Sequence, residues 1–216
     1  MKGLLMAAME LSSLDGFKIG DIALISDPLT QEEFGAERVQ FEIKSVRTYA
    51  NTEKDIKYLS YVLGSREEDE FFSLVIREIN SFYDIMLYYL DNKGELDPPK
   101  EDKGVKTPDY DNVVDPEHGD FADVILIEND EGETIREIQW NRKDGSHTGL
   151  SYYDEKERGS ASICEYFTDD QNYGNDLALV TCKGDFKTGY IEMWYGYELQ
   201  NHEVEMFKKG QEPNGS

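Results

Sequence analysis

The sequence predicts a mainly β protein, built of antiparallel sheets or small barrels, with a short N-terminal helix. Three observations carry that expectation. Runs rich in β-branched and aromatic residues recur along the chain. Several of them alternate apolar with polar positions, the period of a half-buried strand. Clusters of Gly, Asn, Asp and Ser separate them, as hairpin turns require.

The elements follow in order. Residues 3–14, GLLMAAMELSSL, are good helix formers, with Leu4, Leu5, Ala8 and Leu11 near one face. The expected role is packing on the main body, because the stretch lacks the lysines and arginines that a membrane surface favours. IALISD follows Gly20-Asp21 as a strand. TQEEF offers one helical turn, with Thr30 and Glu33 spaced as a capping box. RVQFEIKSVRTYA alternates well, and its change of parity near Lys44-Ser45 predicts a bulge. KYLSYVLGS, FFSLVIREI and YDIMLYYLDN supply three more strands.

Residues 91–120 change character. They hold four of the six prolines and few large aliphatic side chains, the composition of a linker or long surface loop. A second β-rich region opens at Phe121. FADVILIENDEGETIREIQW reads as a hairpin, followed by strands in GLSYYDE, SICEYFTDD, DLALVTC and YIEMWYGYEL. KGDFKTG is the turn between the last two, and HEVEMFKK is a final strand or short helix. The expected organisation is residues 1–90 as a helix plus small β unit, 91–120 as connector, 121–209 as a second unit and 210–216 as a tail. KYLSYVLG, FFSLVIRE and YDIMLYYL share their order with SICEYFTD, DLALVTCK and YIEMWYGY, which suggests an internal duplication.

Composition bounds the function. Acids number 46 against 22 bases, for a formal charge of −24. That field repels nucleic-acid phosphates and anionic membranes, so neither is an expected partner, whereas a basic protein or peptide surface is. With 38% hydrophobic residues there is material for a core. No apolar run reaches the roughly 18–20 residues of a spanning helix. Glu10 interrupts the short apolar stretch at the N-terminus, so no secretory signal is expected. Two cysteines, Cys164 and Cys182, do not make a disulfide framework. The expected location is the cytoplasm.

No motif names a reaction. No phosphate loop, dinucleotide fingerprint or zinc spacing is present, and no cofactor is expected. His118 lies among Asp115, Glu117, Asp120 and Asp123, in a pattern that matches no closed zinc site. DDQNYGND supplies Asp169, Asp170, Asn172 and Asp176 as oxygen donors for a cation. Counted from Asp169, however, the sixth position of a calcium loop is Gly174 and the twelfth is Val180, where a bidentate glutamate belongs. A hairpin loop with Asx hydrogen bonds is the expectation there.

The densest signal is YIEMWYGYEL. As a strand it sends Ile191, Met193, Tyr195, Tyr197 and Leu199 to one face and Tyr190, Glu192, Trp194, Gly196 and Glu198 to the other. The first set reads as core. The second reads as a binding surface of Trp194, Glu192, Glu198 and Tyr190, where acid beside aromatic suits a cationic ligand. The expected function is therefore an acidic, non-catalytic protein-binding or regulatory module that recognises a basic protein surface. The alternatives are a hydrolase or carbohydrate-processing β protein with a carboxylate pair in an aromatic cleft, and a structural module that assembles, as a homo-oligomer for instance, through exposed sheet edges.

Overall fold

A computed structural model describes residues 14–64, 71–95, 113–115, 118–130, 135–143, 147–169 and 176–211. The expected helix at 3–14 falls almost wholly outside these residues, as does most of the 210–216 tail. The fold is mainly antiparallel β with one short α-helix. The strands in chain order are β1 (Ile22–Ile25), β2 (Val39–Asn51), β3 (Ile56–Gly64), β4 (Phe71–Ile79), β5 (Phe82–Glu95), β6 (Val114–Asp115) and β7 (Asp120–Phe121). They continue as β8 (Val124–Asp130), β9 (Ile135–Arg142), β10 (His147–Tyr153), β11 (Arg158–Phe167), β12 (Leu177–Lys183), β13 (Tyr190–Leu199) and β14 (Val204–Phe207). The chain divides into two compact units. Unit 1 is Met1–Leu87, Asp154–Lys156 and Glu198–Ser216; unit 2 is Tyr88–Tyr153 and Glu157–Tyr197.

In unit 1 the strand order is β14-β1-β2-β3-β4, followed by the opening residues of β5. β14 returns from the far end of the chain to pair with β1, Ile22 opposite Phe207 and Ile25 opposite Val204. Every residue of β1 is buried, which matches a strand paired on both edges and read in sequence as a continuous apolar run. The expected bulge is present: the β2–β3 register shifts between Ile43 and Ser45. There Val46 N–H donates to Glu155 Oε1 at 2.8 Å, and the Ser45 hydroxyl donates to Oε2 at 3.1 Å. β4 turns into β5 through Asn80 and Ser81, both with positive φ (50° and 64°), the conformation of a tight primed hairpin turn.

The helix α1 (Pro28–Phe34) starts one turn earlier than the Thr30–Glu33 spacing suggested. Asp27 is its N-cap, and its Oδ1 accepts from Leu29 N–H at 2.9 Å and Thr30 N–H at 3.1 Å. Thr30 lies inside the helix and is buried. Proline at the first helical position loses no hydrogen bond, so Asp-Pro is the stronger start signal. Gly35, left-handed at φ 65°, ends the helix. Phe34 then packs on Phe41 and Phe72 at ring separations of 5.6 and 5.8 Å.

In unit 2 the order is β13-β12-β11-β9-β8. The far edge of β11 is shared. β10 pairs with it along Arg158–Ile163, and β9 pairs at Tyr166 and Phe167. One face of β11–β13 carries Cys164, Tyr166, Ala178, Val180, Cys182, Ile191, Met193 and Tyr195 into a core with Trp140, Ile125 and Ile138. Val113, Val114 and Phe121 join that core, so the end of the stretch read as connector contributes buried side chains. The short ladder β6–β7 holds them in place; it had no sequence signal.

Both triplets that suggested duplication are three-stranded antiparallel meanders. The register of the first strand pair differs by one residue: Val75 faces Ser60, whose counterpart in the second triplet is Glu165, whereas Val180 faces Cys164.

Asp21 anchors the C-terminal segment to unit 1. Its carboxylate is almost fully buried, yet it accepts from Lys18 N–H and Lys209 N–H, each at 3.0 Å, and from Lys208 Nζ at 3.3 Å. Burial works to raise its pKa, but these hydrogen bonds and the lysine charge outweigh it and hold the carboxyl below its ordinary value. A carboxylate with a depressed folded pKa stabilises the fold above its unfolded value. That contribution is lost as pH falls through the folded value. Asp21→Asn is therefore expected to lower stability by about 1–3 kcal/mol at neutral pH. The acid limb of its pH–stability curve should also be flatter below pH ~4, as read by denaturant melts across pH.

Candidate functional site

The residues expected to form a binding surface on β13 do not share one open face. Trp194 is 3% exposed and Glu192 4%. Antiparallel register sets them opposite Leu179 and Thr181 of β12. Both faces of β13 are therefore buried over Ile191–Tyr195, and Trp194 offers no open surface. Glu198, by contrast, is exposed and belongs to unit 1.

Tyr190 shows what acid beside aromatic does here. Its register partner is Lys183. The Lys183 ammonium lies 4.6 Å from the centre of the Tyr152 ring and 5.9 Å from that of Tyr190. Glu157 pairs with it at 3.4 Å. The cation suited to this aromatic and acidic setting is supplied by the chain itself. Sequence reading passed over Lys183 as the edge of a turn. A basic residue ending an apolar strand, opposite a tyrosine, was the available signal.

A second internal cation organises unit 2. Arg142 Nη2 donates to Asp120 at 2.8 Å and to the Phe121 carbonyl at 3.1 Å, while Nη1 donates to Asp123 at 3.0 Å. Its Nε donates to Cys164 Sγ at 3.3 Å. The Tyr166 hydroxyl donates to the Ala122 carbonyl at 2.7 Å. Burial pushes the pKa of Tyr166 upward, aided by the adjacent Cys164. Burial also raises Cys164, against the pull of Arg142, and lifts Cys182 to about 11 with help from Asp185. This cluster ties the segment 120–123 to β9 and β11. Both thiols are buried and their pKa values raised, the opposite of a reactive cysteine.

The cation loop is described only at its ends. Asp169 and Asp176 are exposed, and the Asp176 carbonyl accepts from Thr168 N–H at 3.1 Å, closing the β11–β12 connection. Asp170 and Asn172 lie outside the described residues. Among the described residues no group of three His, Cys, Asp or Glu side chains is placed to hold a metal ion.

One open concavity lies in unit 1. A cleft of about 460 Å³ is lined by Leu14, Tyr83–Ile85, Glu198–His202 and Val204. Its floor is apolar and buried: Leu14, Ile85, Leu199 and Val204. Its rim is polar: Tyr83, Asp84, Glu198, Asn201 and His202. Two local devices position the rim. The two-residue turn at Asn80-Ser81 places Arg77 across from Asp84, and their side chains form an ion pair. It likewise places Glu78 across from Tyr83, whose hydroxyl donates to Glu78 at 2.9 Å. On the other wall, β13 ends at Leu199 and a 3-10 turn (Asn201–Glu203) follows. Gln200 N–H donates to Glu203 Oε2 at 2.6 Å, and Ser26 N–H donates to the Glu203 carbonyl at 2.9 Å. Of the four residues expected at a binding surface, only Glu198 reaches this cleft. The turn residues 200–202 were missed because nothing in a short polar connector distinguishes a cleft wall from a loop.

Comparison with family models, with curated proteins and with solved structures finds no match to this chain. No helix among the described residues is long and apolar enough to cross a membrane.

Two outcomes are expected. Trp194→Ala should destabilise the protein by about 3–5 kcal/mol in a thermal or denaturant melt, as a buried large aromatic does. The native chain should show no thiol reactive toward an aromatic disulfide reagent near pH ~8, and both thiols should react once it is denatured. Because folding raises the thiol pKa, the stability this provides is complete below the unfolded value of about 8.5. For Cys182 it is lost as pH rises toward about 11.

Proposed function

We propose that this chain is a non-catalytic binding module whose unit-1 cleft takes a lysine or arginine side chain from a basic protein surface. The observation that supports it is the combination of an apolar floor with a rim that carries two carboxylates and neither lysine nor arginine. A long cationic side chain matches both parts: its methylene stem covers Leu14, Ile85 and Leu199, and its charged head meets the rim. The two carboxylates differ. Asp84 is already paired with Arg77. Among the described residues Glu198 has no ion-pair partner, so it is the charge left for an incoming cation. The cleft volume is within the range of about 300–1,000 Å³ typical of ligand sites. The overall charge of −24 steers basic partners toward the chain and phosphate-bearing ones away.

The hydrolase reading would need Asp84 and Glu198 as an acid pair across a scissile bond. The Arg77–Asp84 ion pair counts against that use. Two free, buried cysteines suit the reducing cytoplasm, which is the location this reading assumes.

The test is a fluorescence titration of the whole chain with a labelled glycine–lysine repeat peptide. Glu198→Lys should weaken binding about tenfold or more, equivalent to about 1.4 kcal/mol. Glu198→Gln should weaken it less, and Glu32→Gln, an exposed acid on α1, should leave it unchanged. Equal loss from Glu32→Gln and Glu198→Gln would mean that only the general field binds the peptide. No loss from Glu198→Lys would remove the cleft from the mechanism.

A further inference from the structure

Leu14, the first described residue, lies in the floor of the unit-1 cleft. It is 5% exposed, and its carbonyl accepts from the buried Tyr61 hydroxyl at 2.8 Å. Ser13 is therefore one peptide bond from the cleft floor, and the chain that precedes it departs from there. That stretch, residues 3–13, reads GLLMAAMELSS. Leu4 to Met9 are six consecutive apolar residues, and Glu10 is the one charged side chain of the eleven. A run of this kind costs free energy in water and needs apolar cover. On the helix that its composition predicts, Leu4, Ala8 and Leu11 form a stripe at spacings of four and three, and Leu14 is the next residue of that stripe. The floor residue thus sets the phase: the face that carries Leu14 is the face that carries the other three. Eleven helical residues span about 16 Å.

The cleft suits this segment in shape and charge. Its floor is apolar along Leu14, Ile85, Leu199 and Val204, and a volume of about 460 Å³ takes a few leucine- or methionine-sized side chains. Its rim carries Asp84 and Glu198, which repel an acidic segment, and residues 3–9 carry no charge. Attachment at Leu14 gives the segment an effective concentration at the cleft on the order of millimolar, which a free molecule rarely matches. We propose that residues 3–13 are the resident occupant of the unit-1 cleft: they lay the Leu4–Ala8–Leu11 stripe on its floor and are displaced when an outside basic segment enters. The displacement rests on the reading of the cleft as a site for a basic side chain; the docking does not. A methylene stem and the stripe need the same surface of Leu14, Ile85 and Leu199, so the two occupants exclude each other.

The test uses the whole chain with a photoreactive benzophenone amino acid in place of Leu5. Irradiation should attach position 5 to Tyr83–Ile85 or Leu199–Val204 of the same chain, as mapped by mass spectrometry of the monomer. The same probe beside Leu4→Gln with Leu11→Gln, which keep helix propensity and charge but remove the apolar stripe, should lose that product at least tenfold. Leu4→Met with Leu11→Met should retain it. Without the probe, the double-glutamine chain should bind the labelled glycine–lysine peptide at least tenfold more tightly than the native chain. A double-glutamine chain that failed to fold would lose peptide binding rather than gain it, so a gain reports displacement. Position 5 attached elsewhere, attached only across a dimer, or attached to the cleft equally in the double-glutamine chain would each overturn the docking. Equal peptide affinity of the native and double-glutamine chains would overturn the displacement. A peptide that binds neither chain, with the position-5 product intact at the cleft, would remove the basic-peptide reading and uphold the docking.

Discussion

A slip of one residue between β12 and β13 would drive Glu192 and Trp194 into the space held by Met193 and Tyr195. The pairing that prevents it runs without a break from Leu177 opposite Gly196 to Lys183 opposite Tyr190. Side chains alternate with a period of two, so register decides which of these ten residues share the face of Met193 and Tyr195. The same register carries Lys183 to Tyr190 and Cys182 to Ile191. It also fixes the tight return between the two strands, where a Cβ on Gly189 would collide with the Asp185 carbonyl oxygen. Asp185 holds that return through Lys187 N–H and Thr188 N–H at 2.8 and 3.0 Å.

Scarce cations are spent inward. In a chain with more than twice as many acids as bases, Arg142, Lys183 and Lys208 each hold a structural position. Arg142 gathers Asp120 and Asp123, Lys183 sits against two tyrosines, and Lys208 caps Asp21 while lying 4.1 Å from the Phe17 ring. Binding energy for an outside cation must then come from acids without such a partner. At the cleft Glu198 meets that condition and Asp84, paired with Arg77, does not. The aromatic setting around Tyr190 is already supplied with a cation by Lys183.

Much of the fold was legible because its signals are local. Period-two runs named the principal strands, and the parity change at Lys44 marked the β2 bulge. The cleft was less legible, although one wall could have been read. A two-residue turn at Asn80-Ser81 sets Arg77 opposite Asp84 and Glu78 opposite Tyr83 by counting outward, and the side chains do meet. The other wall, Gln200–His202, gave no such count. The start of α1 was less legible: a capping-box spacing such as Thr30–Glu33 arises easily in a chain this rich in acids, while the N-cap is Asp27.

The sequence by itself determined the strand content, most hairpin neighbours, the acidic field and the protonated, unpaired state expected of its cysteines, since each depends on residues near one another or on composition. Tertiary structure decided the long-range pairings. β14 joins β1 across most of the chain, β11 shares one edge between β9 and β10, and Val113 and Val114 enter a core from a stretch that reads as connector. It also decided that Trp194 is buried and Glu198 is not, although both belong to one ten-residue strand. Alternation tells which residues share a face. Whether that face meets water depends on what the rest of the chain lays against it, and no local pattern contains that information.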